Sequence, residues 1–332
     1  MSASTTPFFI VGCKRTGTTL ASHILNSHSR LAVYHESYFY PMFRPQLRLY
    51  GNLRRPANLD RLIGDMHSAV RQQGHELPEV DEIHRRLVSP TFEGVVSTLL
   101  LLYAESRGKT RGGDKTPEQH TFLPEIVERL PASPVIFMMR DPRDTAVSIQ
   151  KVFGVSLQDA VHSWNAAFRS YQQVRDSVHL VRYRELVNRP EETVRSMAIT
   201  LGEAYEPAML DFFRGVPESL SARFGGEKIG GPIDASSVGN FRQLSDEAIR
   251  EIEDACGAGM EALELEFAFP RRNRVSVSGP GPARSLMGRV IDGLRYYGFN
   301  RVRWQRGLVR WRLMLSLRLR YLALLGPLRR DW

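Results

Sequence analysis

The stretch Phe8-Phe9-Ile10-Val11-Gly12-Cys13-Lys14-Arg15-Thr16-Gly17-Thr18-Thr19-Leu20 decides the fold. Four apolar residues in a row, stopped by Gly12, predict a buried strand, and the later spacing of Leu20, Ile24 and Leu25 is helical. Between strand and helix lies a glycine-bounded loop. Glycines let backbone amides approach an anion, and a helix start adds free N–H groups and the positive end of a dipole, so a phosphate or sulfate fits here. The Gly12-to-Gly17 spacing is that of a P-loop, but Thr18-Thr19 replaces the expected Lys-Ser/Thr pair. A nucleoside triphosphatase uses that lysine on its β- and γ-phosphates and the hydroxyl on magnesium. This loop instead brings its cations, Lys14 and Arg15, before the second glycine. Read alone, the loop is also compatible with an ordinary glycine turn.

Working outward, Leu31 to Tyr34, Val135 to Met139 and His179 to Tyr183 read as three further strands. Helical apolar periodicity covers Leu59–Val70, Val80–Val88, Phe92–Glu105, Ser156–Asp176, Glu191–Leu201 and Ser245–Leu265. Buried runs separated by helices indicate the α/β class: a P-loop-type parallel β-sheet flanked by helices, with a helical insert from Phe39 to Lys109 and a basic C-terminal helical tail. The expected organisation is a body over residues 1–270, a linker over 271–285 and a tail over 286–332.

A second motif follows the apolar run that ends at Met139: Arg140-Asp141-Pro142-Arg143-Asp144-Thr145-Ala146-Val147-Ser148. Pro142 suits the first turn of a helix. Arg140 leaves the carboxyl end of a core strand, the edge where open α/β sheets bind ligands, and Ser148 lies two helical turns on.

The two motifs together resemble the cofactor signatures of sulfotransferases that use 3′-phosphoadenosine 5′-phosphosulfate (PAPS). The resemblance spans Phe8 to about Phe269 and takes in Asp114-Lys115-Thr116-Pro117 and the segment from Val181 to Pro190. It is nearest to the bacterial branch related to the Golgi carbohydrate and tyrosylprotein enzymes. It implies that Arg15, Thr16, Gly17, Thr18 and Thr19 cradle the 5′-phosphosulfate, that Arg140 and Ser148 hold the 3′-phosphate, and that Tyr183 touches the cofactor. Arg15 is the candidate for neutralising charge on the oxygen that leaves sulfur. Lys14 is either a second cation in the site or a solvated neighbour. Glu36 is the candidate base for the acceptor hydroxyl, with His35 the alternative. Consecutive residues of an extended segment point to opposite sides, so only one of the two is expected to face the site. Lys115 is a candidate for the leaving oxygen or the sulfonate. In the late loop Ser236-Ser237 stand where cytosolic relatives carry a basic pair, which leaves that 3′-phosphate contact unassigned. No metal requirement is expected, because PAPS has no triphosphate for magnesium to bridge, and neither the histidines nor Cys13 and Cys256 show metal-ligand spacing.

The charge is unevenly placed. The chain of 332 residues carries a net charge of +9, yet residues 271–332 hold fifteen arginines against Asp292 and Asp331, leaving a mildly acidic body. That argues against a nucleic-acid partner for the body. Hydrophobic residues at 42% and charged residues at 24% exclude wholesale disorder and a multispanning membrane protein. In the tail Trp304, Leu308, Trp311, Leu315, Leu319 and Leu322 form an apolar helical stripe opposite Arg303, Arg306, Arg310 and Arg320. Over residues 301–325 this suits the headgroup region of an anionic membrane, or packing on the body or on a second subunit.

The opening residues carry no basic and apolar leader, so a cytoplasmic place is expected, with peripheral attachment at the inner membrane face. The expected function is sulfuryl transfer from PAPS to an acceptor hydroxyl on a glycan, glycolipid or other membrane-associated molecule. The competing readings are an ATP-dependent P-loop phosphotransferase and a non-catalytic nucleotide-binding membrane scaffold.

Overall fold

A computed structural model describes residues 6–72, 78–215 and 230–270. The expected linker and the arginine-rich tail lie outside the described residues.

Five parallel strands form one sheet: β1 (Phe8–Gly12), β2 (Leu31–His35), β3 (Arg111–Lys115), β4 (Val135–Met139) and β5 (His179–Arg182), in the order β2-β3-β1-β4-β5. Alternation along the strands divides the core between two faces. Phe9, Val11, Phe137 and Met139 point into one apolar cluster, and Phe8, Ile10, Ile136 and Met138 into the other. The first face carries α2 (Phe39–Phe43), α3 (Pro56–Gln72), α4 (Val80–Arg85), α5 (Phe92–Ser106), α6 (Leu123–Arg129), α7 (Pro142–Phe153), α8 (Leu157–Gln172) and α11 (Asp246–Ala262). The second carries α1 (Thr18–Asn26), α9 (Tyr183–Asn188) and α10 (Pro190–Thr200). The parallel, doubly covered α/β sheet agrees with the expected fold class.

The sequence reading has four strands where the structure has five. It lacks β3, Arg-Gly-Gly-Asp-Lys, because nothing in that segment is apolar. All five residues are nevertheless buried. Gly112 and Gly113 are there because the chain passes too close to its neighbours for a side chain: a Cβ on Gly112 would collide with the Leu100 carbonyl on α5, and one on Gly113 with the Phe8 ring. The buried charges are paired. The Arg111 guanidinium donates to the carbonyls of Thr6 and Leu201, and Asp114 and Lys115 enter the site described below.

Candidate active site

The loop between β1 and α1 borders a cavity. Gly17, with φ of 94°, caps α1, and no side chain satisfies that helix start. Arg15 also has a left-handed backbone, φ 67°. A cavity of about 380 Å³, the size of a small-molecule site, is lined by Arg15, Gly17, Thr19, Arg140, Ser148 and Tyr183 among others. The two sequence motifs therefore meet in one place. Arg15 Nε donates to Ser148 Oγ at 3.1 Å, and an Arg140 N–H donates to the Arg15 carbonyl at 3.3 Å.

Arg140 is set rigidly. The buried indole of Trp164 donates to its carbonyl at 2.8 Å, its guanidinium lies 4.7 Å from the centre of the Tyr183 ring, and its side chain is only 8% exposed. Its Nε is buried with no hydrogen-bond partner among the described residues. Burial draws the guanidinium pKa down, with nearby Asp144 opposing. A buried cation with an unused donor, at the edge of a cavity, is suited to an anion. Arg143, the second arginine of the motif, has a structural place instead, bound to Asp141 at 2.6 Å and to buried Glu253 at 2.5 Å.

The late loop closes over this end. Ser237 accepts from Arg140 through its carbonyl, and Asp144 accepts from the backbone N–H groups of Gly239 at 2.9 Å and Phe241 at 3.0 Å. Asp234, Ser236, Ser237, Asn240 and Lys151 line the cavity, although none is a sequence-derived site residue. Lys151 lies one turn beyond Ser148 on α7, the only local signal for it. A second cavity, about 690 Å³, shares Arg140, Asp144 and Tyr183 but is lined by no residue of the glycine loop between β1 and α1.

At the other end, Thr19 links the cavity to a cluster on β2 and β3. Lys115, wholly buried, donates from Nζ to Thr19 Oγ1 at 3.2 Å, Glu36 Oε1 at 3.0 Å and His35 Nε2 at 3.0 Å. The expectation that only one of His35 and Glu36 faces the site is corrected here. Glu36 is not extended but left-handed, φ 59°, so its side chain turns back to the same ammonium that His35 meets. A network holds this turn in place. Buried Asp114 accepts from Ser37 Oγ at 2.6 Å, from Ser37 N at 3.3 Å and from Thr116 Oγ1 at 3.1 Å, and Thr116 in turn accepts from Tyr38 N at 3.3 Å. Burial pushes the Asp114 carboxyl up to about 6, the hydrogen bonds opposing. His23, beside the cluster, is brought down to about 4 by burial first and the charge of Lys115 second.

Several residues sit differently from a simple cradle. Thr16 is wholly buried and donates to the Cys13 carbonyl at 2.7 Å, so it offers the cavity no hydroxyl. Thr18 is buried and does not line the cavity. Lys14 pairs with Glu118 at 2.6 Å. Arg15 extends to Ser148, while Lys115 is the cation beside Glu36. Burial raises the Cys13 thiol to about 12, which suits a filler and not a nucleophile.

The sheet order and the glycine loop at the start of α1 define a P-loop-like α/β protein, with a buried cation at the end of β4. The sequence model described as "Sulfotransferase family" matches residues 7–207, and the chain belongs to that family. Nodulation protein NoeE of Sinorhizobium fredii is 26% identical over 296 residues, 78% of this chain and 65% of the relative, so the chain spans just under two thirds of that protein's length. Among solved structures, the sulfotransferase domain of the Synechococcus PCC 7002 olefin synthase matches with a TM-score of 0.49 at 16% identity, over 80% of this chain and 95% of that one. The sulfotransferase domain from the curacin biosynthetic pathway matches with a TM-score of 0.49 at 20% identity, over 80% and 100%. Among the described residues, no helix is long and apolar enough to cross a membrane.

Proposed function

We propose that the chain transfers a sulfuryl group from PAPS to an acceptor hydroxyl. The observation that carries this reading is the continuity of the site: Arg140, Ser148 and Arg15 line one cavity with Thr19, and Thr19 touches Lys115, which holds Glu36. A donor with an anionic group at each end fits such a site, and the unused Nε of buried Arg140 fits its phosphate. When bound, PAPS supplies the sulfuryl group.

The residues of the chain divide the remaining work. Arg140, Ser148 and Tyr183, with Arg15 alongside, would hold the 3′-phosphate end. Gly17 and the amides that open α1 would hold the 5′ end, where the helix dipole favours negative charge. Lys115 would neutralise charge developing on the departing oxygen, the part expected of Arg15 from sequence. Glu36 would take the acceptor's proton, and the ammonium of Lys115 keeps its carboxylate oriented for that. His35, on the same ammonium, is the alternative base. A glycan, glycolipid or other membrane-associated hydroxyl is the proposed acceptor class, supported by the Trp/Leu/Arg pattern over residues 301–325 alone, which also supports peripheral attachment to an anionic membrane.

The test is calorimetric binding of adenosine 3′,5′-bisphosphate against ATP, with and without magnesium, to wild type and Arg140→Ala. Magnesium-independent binding of the bisphosphate, weakened about a hundredfold in the variant, is expected. Magnesium-dependent binding of ATP with no affinity for the bisphosphate would replace this reading with a phosphotransferase.

A further inference from the structure

The candidate base does not stand alone. Tyr38 Oη lies 3.1 Å from Glu36 Oε2 and 3.4 Å from Glu118 Oε1, and a tyrosine hydroxyl has one hydrogen to share between the two carboxylates. Each carboxylate has its own ammonium: Lys115 at 3.0 Å from Glu36, Lys14 at 2.6 Å from Glu118. The result is a line of two ion pairs joined by one hydroxyl, Lys115–Glu36–Tyr38–Glu118–Lys14, running from the buried end of β3 to the loop between β1 and α1.

Two further observations mark the line as built. Tyr38 is left-handed, φ 56°, a conformation that costs a non-glycine residue on the order of 1 kcal/mol and that the Thr116 hydroxyl holds through the Tyr38 N–H. Glu118 Oε2 is buried with no hydrogen-bond partner among the described residues, a vacancy that native structures seldom leave without use.

Resting on the proposed role of Glu36 as base, we propose that Tyr38 and Glu118 form a proton relay that returns Glu36 to its ionised form within the turnover. The acceptor hydroxyl gives its proton to Glu36 Oε2, where it turns about the C–O bond toward Tyr38. The Glu36 O–H then passes that proton to Tyr38 Oη as the original Tyr38 hydrogen moves to Glu118 Oε1. Tyr38 is neutral before and after, Glu36 regains its charge, and one proton has moved to Glu118, which is 27% exposed and releases it to water. The matched ammonium partners keep this transfer from being a climb in charge separation: a negative charge beside Lys14 is exchanged for one beside Lys115. Tyr38 and Glu118 act through Glu36 and are relay residues; neither needs to touch the donor.

The test is the multiple-turnover transfer of labelled sulfuryl group from PAPS, which depends on the reset of Glu36, with octyl β-D-galactoside and with water as acceptors, measured in mixtures of H2O and D2O. Tyr38→Phe removes the relay hydrogen; Glu118→Gln keeps an acceptor for Tyr38 but cannot take the proton, which separates relay from packing. Wild type is expected to show a curved dependence on deuterium fraction, the mark of more than one proton in flight. Both variants are expected to lose about tenfold to a hundredfold in rate and give a straight line, with bisphosphate affinity within about twofold of wild type. Wild-type rates in both variants, or a straight line for wild type, with Glu36→Gln inactive, would overturn the relay and leave the base in place. Full activity in Glu36→Gln, or no loss of sulfuryl group to either acceptor from wild type, would overturn the function itself and the relay with it.

Discussion

The Arg140 guanidinium stacks over the ring of Tyr183, 4.7 Å from its centre, and that ring occupies the space a side chain on Gly17 would need, its nearest carbon 2.6 Å from where a Cβ would sit. The loop glycine and the arginine that follows β4 are thus tied through one aromatic ring. Gly17→Ala should strain a backbone with φ of 94° and push Tyr183 off Arg140. A stability loss of about 1–3 kcal/mol in urea denaturation, and at least a tenfold loss of bisphosphate affinity by calorimetry, are the expected results.

Lys115 is wholly buried and joins Thr19, His35 and Glu36. Lys115→Met keeps the apolar stem and removes the charge. The single-turnover rate is expected to fall by roughly 10²–10³, the usual scale for losing one preorganised electrostatic partner. Bisphosphate binding should change much less, because the place proposed for Lys115 is the sulfuryl end. Equal losses in rate and binding would place Lys115 with the phosphates instead.

Asp114 gives a pH dependence whose sign can be worked out. Burial lifts its folded value to about 6 from an ordinary 3.8. Between those values the folded form keeps a proton that the unfolded chain has released, so this contribution to stability is full below about pH 4 and lost as pH rises through 6. Asp114→Asn cannot ionise. Its denaturation midpoint, followed from pH 4 to 7, should improve relative to wild type as pH rises, by up to ~2–3 kcal/mol, superimposed on a constant loss from the missing hydrogen-bond acceptor.

The histidines act in the opposite sense. Burial brings both His23 and His120 down to about 4, with Lys115 adding to the effect at His23 and Glu118 opposing it at His120. Below pH 6.5 the unfolded chain takes up protons that the folded form refuses, so stability falls on acidification from 6.5 toward 4. His120→Gln should soften that fall by ~1–2 kcal/mol after allowance for partial solvent access, seen as a smaller drop in melting temperature between pH 7 and 5.

What could be read from the sequence was local. The glycine loop and the Arg-Asp-Pro-Arg-Asp turn announce themselves because each is a short run whose chemistry is fixed by its neighbours in the chain, and both fall in the cavity. β3 was invisible because burial is usually signalled by apolar side chains, and this strand achieves it with two glycines and paired charges. Tyr38 and Glu118 escaped for another reason. They are 80 residues apart, and only the left-handed turn at Glu36 and Tyr38 brings them together. No periodicity foretells a positive φ at glutamate or tyrosine. The late loop, whose contact Ser236-Ser237 left unassigned, could not be read further because its contribution to Arg140 is a carbonyl, which any residue could supply.

The polar character of β3 has a practical meaning for anyone wishing to make this protein more robust. Strengthening a protein usually begins by filling the middle of its sheet with larger apolar groups. Here that region has no free volume at Gly112 or Gly113, and its remaining members are committed: Arg111 to the carbonyls of Thr6 and Leu201, Asp114 and Lys115 to contacts that shape the site. Hardening and turnover would be traded directly against each other along this strand. The periphery is open to change: Ile199 on α10 and Val88 after α4 are 74% and 66% exposed, and replacing them with charged residues offers gains in solubility without disturbing the sheet.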